Sequence, residues 1–477
     1  MMNCKPYIIS NIALWHYYGT PTEMKFQNMN KIRIVLFIIF YLFIGNTVQG
    51  QQQWTLNQCI SYAIENNINL KDYKISEKLA SENLQQSKRN LLPGVSASTS
   101  AGLSFGRSVN PSDNSYINTQ FFSNSYGLSS SITVFEGFRM QNQIKYQKFR
   151  ERVSEYNRIN ASDDLAFNVM VAFYDVVYYK GMLEIANEQV EASKLSLKTT
   201  EKKVEVGLQA KTDLLEMRAN LEREELNRIQ IENRIETAEL KLKQLMNIVS
   251  VDEMALIDKP STVFSEKVNQ PRQLFEQFIG WSPYYQSIEA GVKATEKSLA
   301  LSRSNLYPSL YAGGSVGTGF YETYTDENGN TIGFKDQWKN NMGKSLRASL
   351  SIPVFNRWAN RSGVKMAKLE LESAKNRIND ERQQLYFEMV NNLTELEALY
   401  KEHSQYLKST EVDELAFQAA EKKFDQGLID INDYYIAKNR LANTQSSVLR
   451  SRTQWEIKMK MLQFYRGQRF WELKESH

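Results

Sequence analysis

The chain has 477 residues, with 58 Lys and Arg against 54 Asp and Glu and a formal charge of +4. Lys5, Lys25, Lys31 and Arg33 against Glu23 put +3 of that charge before residue 51, so no basic field remains for nucleic acid. Only nine prolines interrupt it, which favours long helices, and two cysteines, Cys4 and Cys59, are too few for a thiolate metal cage.

The first element reads as an address. Lys25, Lys31 and Arg33 precede the apolar run "IVLFIIFYLFIG" (34–45), and the small residues of "NTVQG" (46–50) follow. A spanning helix needs about 20 apolar residues, so this shorter run fits a secretory signal peptide, with residues 1–50 as signal and upstream segment. An uncleaved anchor is the alternative. Met24 and Met29 are candidate initiators. Cleavage leaves Cys59 alone, which excludes an internal disulfide. In "LNQC" (56–59), Gln58 is too large for the residue that precedes a lipid-modified cysteine, so Cys59 is expected to pack on a short helix.

The rest divides into two copies of one plan. The first, within 51–260, predicts a helix over 70–92, a hairpin within 95–135 with strands near 95–105 and 126–135, and long helices over 137–206 and 208–249. The second, within 261–477, predicts a helix over 284–306, a hairpin within 309–355 with strands 309–321 and 345–355, and helices over 357–426 and 428–466. Pro93 and Pro308 mark the switch from helix to strand, because proline cannot continue a helix. Residues 250–283, with Pro260, Pro271 and Pro283, read as a link. The repeat is direct: "EKKVEVGLQAKTDLLEMRANL" (201–221) overlies "EKKFDQGLIDINDYYIAKNRL" (421–441), and "ITVFEGF" (132–138) overlies "IPVFNRW" (352–358). A period of about 220 residues exceeds any solenoid repeat and implies two equivalent halves.

The helix over 137–206 carries a heptad: Leu165, Val169, Ala172, Val176, Tyr179, Leu183, Ala186, Val190, Ser193, Leu197, Thr200 and Val204 step by fours and threes. Its return partner continues the seam with Leu214, Met217, Leu221, Ile231, Ile235, Ala238, Leu242 and Leu245, interrupted by Glu224 and Arg228. The second copy keeps the register through Leu385, Met389, Leu396, Leu399, Phe417 and Phe424, with His403 and Asp413 intruding. These are coiled-coil seams, and they alone do not reject an ordinary coiled-coil scaffold. The helices over 70–92 and 208–249 together match the long helix, so the expected architecture is a wall of helices about 100 Å long.

All four strands alternate. Val95, Ala97, Thr99, Ala101, Leu103 and Phe105 oppose Ser96, Ser98, Ser100, Gly102 and Ser104, and the later strands repeat the division up to Ile352 and Val354 against Ser349 and Ser351. One wet face and one apolar face follow. Strands of about 10 residues suit a tilted bilayer crossing, which lipid tolerates only in a closed barrel. A single-chain barrel needs about eight strands, so four imply closure by several copies. A soluble β-sandwich layer is the alternative. The polar segments 106–122 and 322–344 are expected outside the cell and the helices in the periplasm.

This layout resembles the TolC-like outer-membrane efflux family. The resemblance is carried by "AIENNINLKDYKISEKLASENLQQSKRNLLP" (63–93), its echo "SPYYQSIEAGVKATEKSLALSRSNLYP" (282–308), the two "VF" strand ends and "VGLQAKTDLLEMRANL" (206–221). It implies a mainly α protein with transmembrane β structure and an internal two-fold repeat. Four strands per chain would join a trimeric 12-stranded β-barrel, continuous with a periplasmic α-barrel of coiled-coil helices. The implied function is the outer-membrane exit duct of a tripartite efflux or type I secretion system in a Gram-negative bacterium. That duct is a passive homotrimer in outer-membrane lipid, joined to a periplasmic adaptor and an inner-membrane pump. The resemblance also assigns adaptor-docking tips at Val206, Gly207 and Leu208 and at Gly427 and Leu428, where Gln426 stands in place of Val. It places a periplasmic constriction at Asp433. Ile436 and Ile429 occupy the family's other gate positions, so a weaker gate, or one rearranged onto Asp425 and Asp430, is expected; the alternative for an exposed Asp near a helix start is a helix cap.

No catalytic constellation is present. After the signal only His403 and His477 remain, neither beside a nucleophile, and no phosphate-cradling loop or nucleophile elbow occurs. The reading is a duct without enzymatic activity or cofactor, the alternative being a soluble periplasmic scaffold.

Overall fold

The computed structural model describes residues 53–109, 114–249, 254–258 and 270–472. The expected signal segment (1–50), Pro260 and His477 lie outside the described residues. Two 67-residue helices, α3 (Arg139–Glu205) and α8 (Ala359–Asp425), are the longest elements, each about 100 Å at 1.5 Å per residue. Along α3 pack α2 (Ile68–Arg89) and α4 (Lys211–Met246), and along α8 pack α6 (Pro283–Ser304) and α9 (Ile431–Tyr465). Helix α6 also packs on α3, and α9 on α3, so the two halves interlock within one compact unit, Trp54–His477.

Two short helices cap this arrangement. Helix α1 (Leu56–Asn66) buries Cys59, Ile60 and Ala63 against Leu165, Val169, Met170 and Phe173 of α3 and Leu242 and Met246 of α4. Cys59 is therefore a core residue, and burial pushes its thiol up to about 12. Helix α5 (Pro271–Trp281) buries Leu274, Phe275, Phe278 and Ile279 against Met389 and Leu396 of α8 and Trp455 and Leu462 of α9. It corrects the link expected over 250–283. Its start at Pro271 and the start of α6 at Pro283 are first-turn prolines, where the missing N–H costs nothing. The break between α1 and α2 is capped by Asn67, whose side chain accepts the Leu70 N–H at 3.2 Å. Ser282 does the same between α5 and α6 for Tyr285 at 3.5 Å. The short helices are thus a further repeated element.

The seam of α3 is as the heptad predicts: Val169, Ala172, Val176, Ala186, Val190, Ser193 and Thr200 are buried. The polar residues on the α8 seam are satisfied from α9. His403 Nδ1 lies 3.0 Å from Ser451 Oγ, Asp413 accepts from Thr444 Oγ1 at 2.7 Å and pairs with Arg440 at 2.9 Å, and Asn392 donates to Tyr465 Oη at 2.8 Å. At the far end, buried Asp163 of α3 holds Arg469 at 2.8 and 3.0 Å, tying down the chain after α9.

Strands β1 (Gly94–Val109), β2 (Tyr116–Glu136), β3 (Ser309–Tyr321) and β4 (Gly343–Ser351) form one antiparallel sheet in the order β1-β2-β3-β4. The first two, of 16 and 21 residues, far exceed the expected length. Strand β4 ends at Ser351 rather than 355, because Pro353 has no N–H for the ladder. The segment 322–344 is not wholly loop: it holds α7 (Phe334–Asn340). There buried Gln337 accepts the Tyr321 N–H at 2.9 Å and donates to the Tyr321 carbonyl at 2.9 Å, closing the end of β3.

The passage from sheet to long helix is one turn used twice. Gly137 and Phe138 (φ +56 and +61 rounded by the same turn) precede α3; Arg357 and Trp358 (φ 57 and 65) precede α8. Both helix starts reach Asn305 at the end of α6: Arg139 Nη1 donates to Asn305 Oδ1 at 2.7 Å and Asn360 Nδ2 to its carbonyl at 2.6 Å. A Cβ on Gly137 would lie 2.6 Å from the Ser304 carbonyl oxygen and 2.8 Å from Tyr307 Cβ. Gly137→Ala is expected to cost about 2 kcal/mol or more, whereas Arg357→Gly relieves about 1 kcal/mol of left-handed strain. Thermal unfolding of the detergent-solubilised protein should move the two midpoints in opposite directions.

Candidate functional site

Two regions carry the functional features: the faces of the sheet and the two helical turns at the other end of α3 and α8. Register places like with like across the sheet. On one face lie the rows Val95–Ser130–Gly314–Leu346 and Ala97–Leu128–Val316–Lys344, then Ile132–Ala312–Ala348 and Phe135–Leu310–Leu350. On the other lie Ser96–Ser129–Ser315–Ser345, Ser98–Gly127–Gly317–Gly343 and Gly94–Ser131–Gly313–Arg347. Hydroxyl pairs bridge the polar strands: Ser96 to Ser129 at 2.8 Å, Ser100 to Ser125 at 2.7 Å and Ser315 to Ser345 at 2.8 Å.

The apolar face has no core beneath it. Leu346 is 94% exposed, and Val95, Phe105, Leu128 and Leu350 are also exposed. Among the described residues, α7 is the one helix that packs appreciably on the sheet, and it covers only the end of this face. There Trp338 lies 4.9 Å from Tyr126, and Phe334 lies 5.9 Å from Phe320. At the opposite end Phe135 meets Phe138 at 5.5 Å, and Trp358 stacks on Arg361 at 4.4 Å. Strands β1 and β4 are each paired on one side only.

The turn after α3 is a Schellman closure. The Leu208 N–H donates to the Lys203 carbonyl at 2.8 Å and the Gly207 N–H to the Val204 carbonyl at 3.1 Å, with Gly207 at φ +77. The turn after α8 repeats it: Leu428 donates to Lys423 at 2.9 Å and Gly427 to Phe424 at 3.0 Å, with Gly427 at φ +69. Glycine meets the left-handed requirement in both. The apolar residues flanking it face outward: Leu208 is 79% exposed, and Val206 and Leu428 are exposed as well. Lys203 joins the two turns, its ammonium 3.2 Å from Asp425 Oδ1 and 3.0 Å from the Asp425 carbonyl.

A sequence profile adds the deciding observation: that of the outer membrane efflux proteins matches residues 59–247 and 276–468, one stretch in each half. The chain belongs to the outer membrane efflux protein family. No curated protein sequence matches it. Its fold is that of solved channels of this kind. The Campylobacter jejuni CmeC outer membrane channel superposes with a TM-score of 0.74 at 18% identity, over 88% of this chain and 87% of that one. The Vibrio cholerae outer membrane protein VceC gives 0.73 at 15%, over 87% and 96%. The open state of the Neisseria gonorrhoeae MtrE channel gives 0.69 at 17%, over 87% and 89%. Among the described residues no helix is long and apolar enough to cross a membrane.

In this efflux protein the three expected constriction carboxylates occupy different settings. Asp425 is the ion-pair partner of Lys203. Asp430 caps α9, its Oδ1 accepting the Asp433 N–H at 2.9 Å. Asp433 is exposed in the first turn of α9, and Ile436, one turn on, is exposed too. Ile429 packs against the cluster of Met217, Phe424, Ile431, Tyr434 and Tyr435 beneath the turn. Burial pushes the Tyr434 hydroxyl there up to about 12, and it lies 3.0 Å from Ser196 Oγ.

Sequence reasoning missed the polar lock above this cluster. Lys438 of α9, 0% exposed, donates to Glu224 Oε1 at 2.8 Å, the Gln189 carbonyl at 2.8 Å and Ser193 Oγ at 2.5 Å, joining α9 to both α3 and α4. Burial pulls its ammonium below the usual lysine range, and Glu224 counters part of that. Lys438 follows Ile431 and Tyr434 at heptad spacing, so a charge on a core position was the available signal. Lys438→Ala leaves Glu224 without its cation and is expected to cost about 3 kcal/mol. Combining it with Glu224→Leu should recover much of the loss in the same denaturation measurement.

Proposed function

We propose that the protein is the exit duct of an efflux or secretion assembly in the outer membrane of a Gram-negative bacterium, a passive channel-tunnel formed by three copies. The observation that carries this reading is the sheet: an uncovered apolar face, a hydroxyl-rich opposite face and two half-paired edges. In water the exposed apolar face would be an aggregation surface. Against lipid it is the expected exterior of a barrel, with the serine face lining an aqueous lumen. The aromatic groups support the depth. From Leu310, opposite Phe135, to Phe320 is about 33 Å along β3, or about 25 Å at a tilt near 40°, which matches the apolar band of an outer-membrane barrel.

Edge strands β1 and β4 cannot close on each other in a sheet of only four strands. The resemblance to TolC-like proteins supports three copies and a barrel of 12 strands. It also favours a periplasmic position for α3, α4, α8 and α9. There the exposed Val206, Gly207 and Leu208 and the matching Gly427 and Leu428 form docking tips for a periplasmic adaptor, and energy comes from an inner-membrane pump. Asp433, with Asp430 and Asp425 at the same tip, forms the periplasmic constriction.

Membrane fractionation and gel mobility test the duct. The protein should sediment with outer membrane and run as an SDS-resistant trimer that heating converts to monomer. Recovery as a freely soluble monomer would support the scaffold alternative instead. In planar bilayers Asp433→Ala should raise conductance and weaken cation preference, because a threefold carboxylate ring is removed. Unchanged currents would take Asp433 out of the constriction and leave the barrel standing.

A further inference from the structure

We propose that Arg347 sets a ring of positive charge inside the barrel, one guanidinium per copy, and that this ring makes the outer part of the duct favour anionic solutes. The proposal rests on the barrel reading above. Its basis is one row of the sheet, Gly94–Ser131–Gly313–Arg347. Arg347 shares a face with Ser345 and Ser349, the face of the bridged serines, and it is exposed. Within its own row its neighbours are small, Gly313, Ser131 and Gly94. Gly313, directly opposite, would place a Cβ 3.1 Å from the Ser130 carbonyl oxygen, so that position is tight and favours a small residue. The next rows on this face, Ser96–Ser129–Ser315–Ser345 and Thr133–Tyr311–Ser349, carry no charge.

Other charges on the sheet do not compensate it. Lys344 lies opposite Val316 and therefore belongs to the apolar face. Glu136 lies opposite Ser309, at the foot of the polar face. That is four residues along and two strands across from Arg347, roughly 16 Å away and beyond a Debye length of about 10 Å at 0.1 M salt.

Closure of the barrel turns an isolated surface charge into a filter. Twelve strands about 4.8 Å apart and tilted near 40° give a radius of about 12 Å. An extended arginine reaches about 6 Å inward, so each guanidinium lies roughly 6 Å from the axis, within the 0.1 M Debye length. The three fields therefore overlap across the lumen. Arginine stays charged at every working pH and binds carboxylate or phosphate in a bidentate fork, so the favoured solutes are those carrying such groups. The sign is opposite to that of the carboxylates at the helical tips.

The test is the reversal potential of the full-length protein in planar bilayers under a roughly tenfold KCl gradient near 0.1 M, with the SDS-resistant oligomer as the assembly control. Arg347→Ser should lower the chloride-to-potassium permeability ratio about twofold, Arg347→Glu should lower it further, and Arg347→Lys should hold it near wild type. The differences should collapse near 1 M KCl, where the Debye length is about 3 Å. If Arg347→Ser and Arg347→Glu form channels with the wild-type ratio, the ring is overturned and the duct is not. If the wild-type protein forms no channel, the duct reading fails and the ring fails with it.

Discussion

The structure depends on one constraint: the apolar face of the sheet has to be covered, and the described residues cover only its end. Leu346, Leu350, Val95 and Leu128 lie on a surface that α7 reaches at one edge and that the long helices leave bare. An apolar area of this extent is tolerated in lipid or against another protein, not in water. The same strands offer unpaired backbone on β1 and β4, which lipid does not tolerate at all. The proposed closure of several sheets with the serine rows turned inward meets both demands at once. The long helices leave the foot of the sheet through the paired turns at Gly137–Phe138 and Arg357–Trp358.

The two-fold repeat explains how one chain meets this geometry with little invention. Each half builds a short cap helix, a second helix, two strands, a left-handed corner, a long helix, a Schellman closure and a return helix. The halves then differ where they meet each other. Asn305 accepts both helix starts, Lys203 bridges the two tips, and Lys438 locks the second half onto Gln189, Ser193 and Glu224 of the first. Such polar ties between otherwise apolar seams fix register more than they add stability. The Lys203 and Lys438 ties lie toward the tips, and the Asn305 tie lies at the opposite, sheet end of the long helices.

Most of the fold was legible because its periods are strong. Alternation over Val95–Phe105 and the heptad over Leu165–Val204 each repeat often enough to outvote local exceptions. The failures have separate physical causes. Helix α5 was hidden because Pro271 and Pro283 were read as breakers, although proline also suits a first helical turn. In the outer half of β2 the apolar residues come as adjacent pairs, Tyr116–Ile117 and Phe121–Phe122, which breaks the alternation; pairing to β1 makes it a strand. At the tips, the sequence locates Gly207, Gly427, Asp430 and Asp433 but not the contacts their side chains and backbone make. Asp430 proved to be a helix cap and Asp425 an ion-pair partner across a separation of 222 residues. The Lys438–Glu224 contact, 214 residues apart, is likewise visible only once the halves are packed.

The central claim concerns which side of the sheet meets hydrocarbon. Nitroxide scanning across residues 345–350 in lipid vesicles addresses it directly, on a background with Cys4→Ser, since buried Cys59 then leaves each introduced cysteine as the reactive thiol. The account predicts a strict alternation: probes at 346, 348 and 350 collide with dissolved oxygen, and those at 345, 347 and 349 with an aqueous nickel chelate. Uniform access to the chelate at all six positions would contradict it.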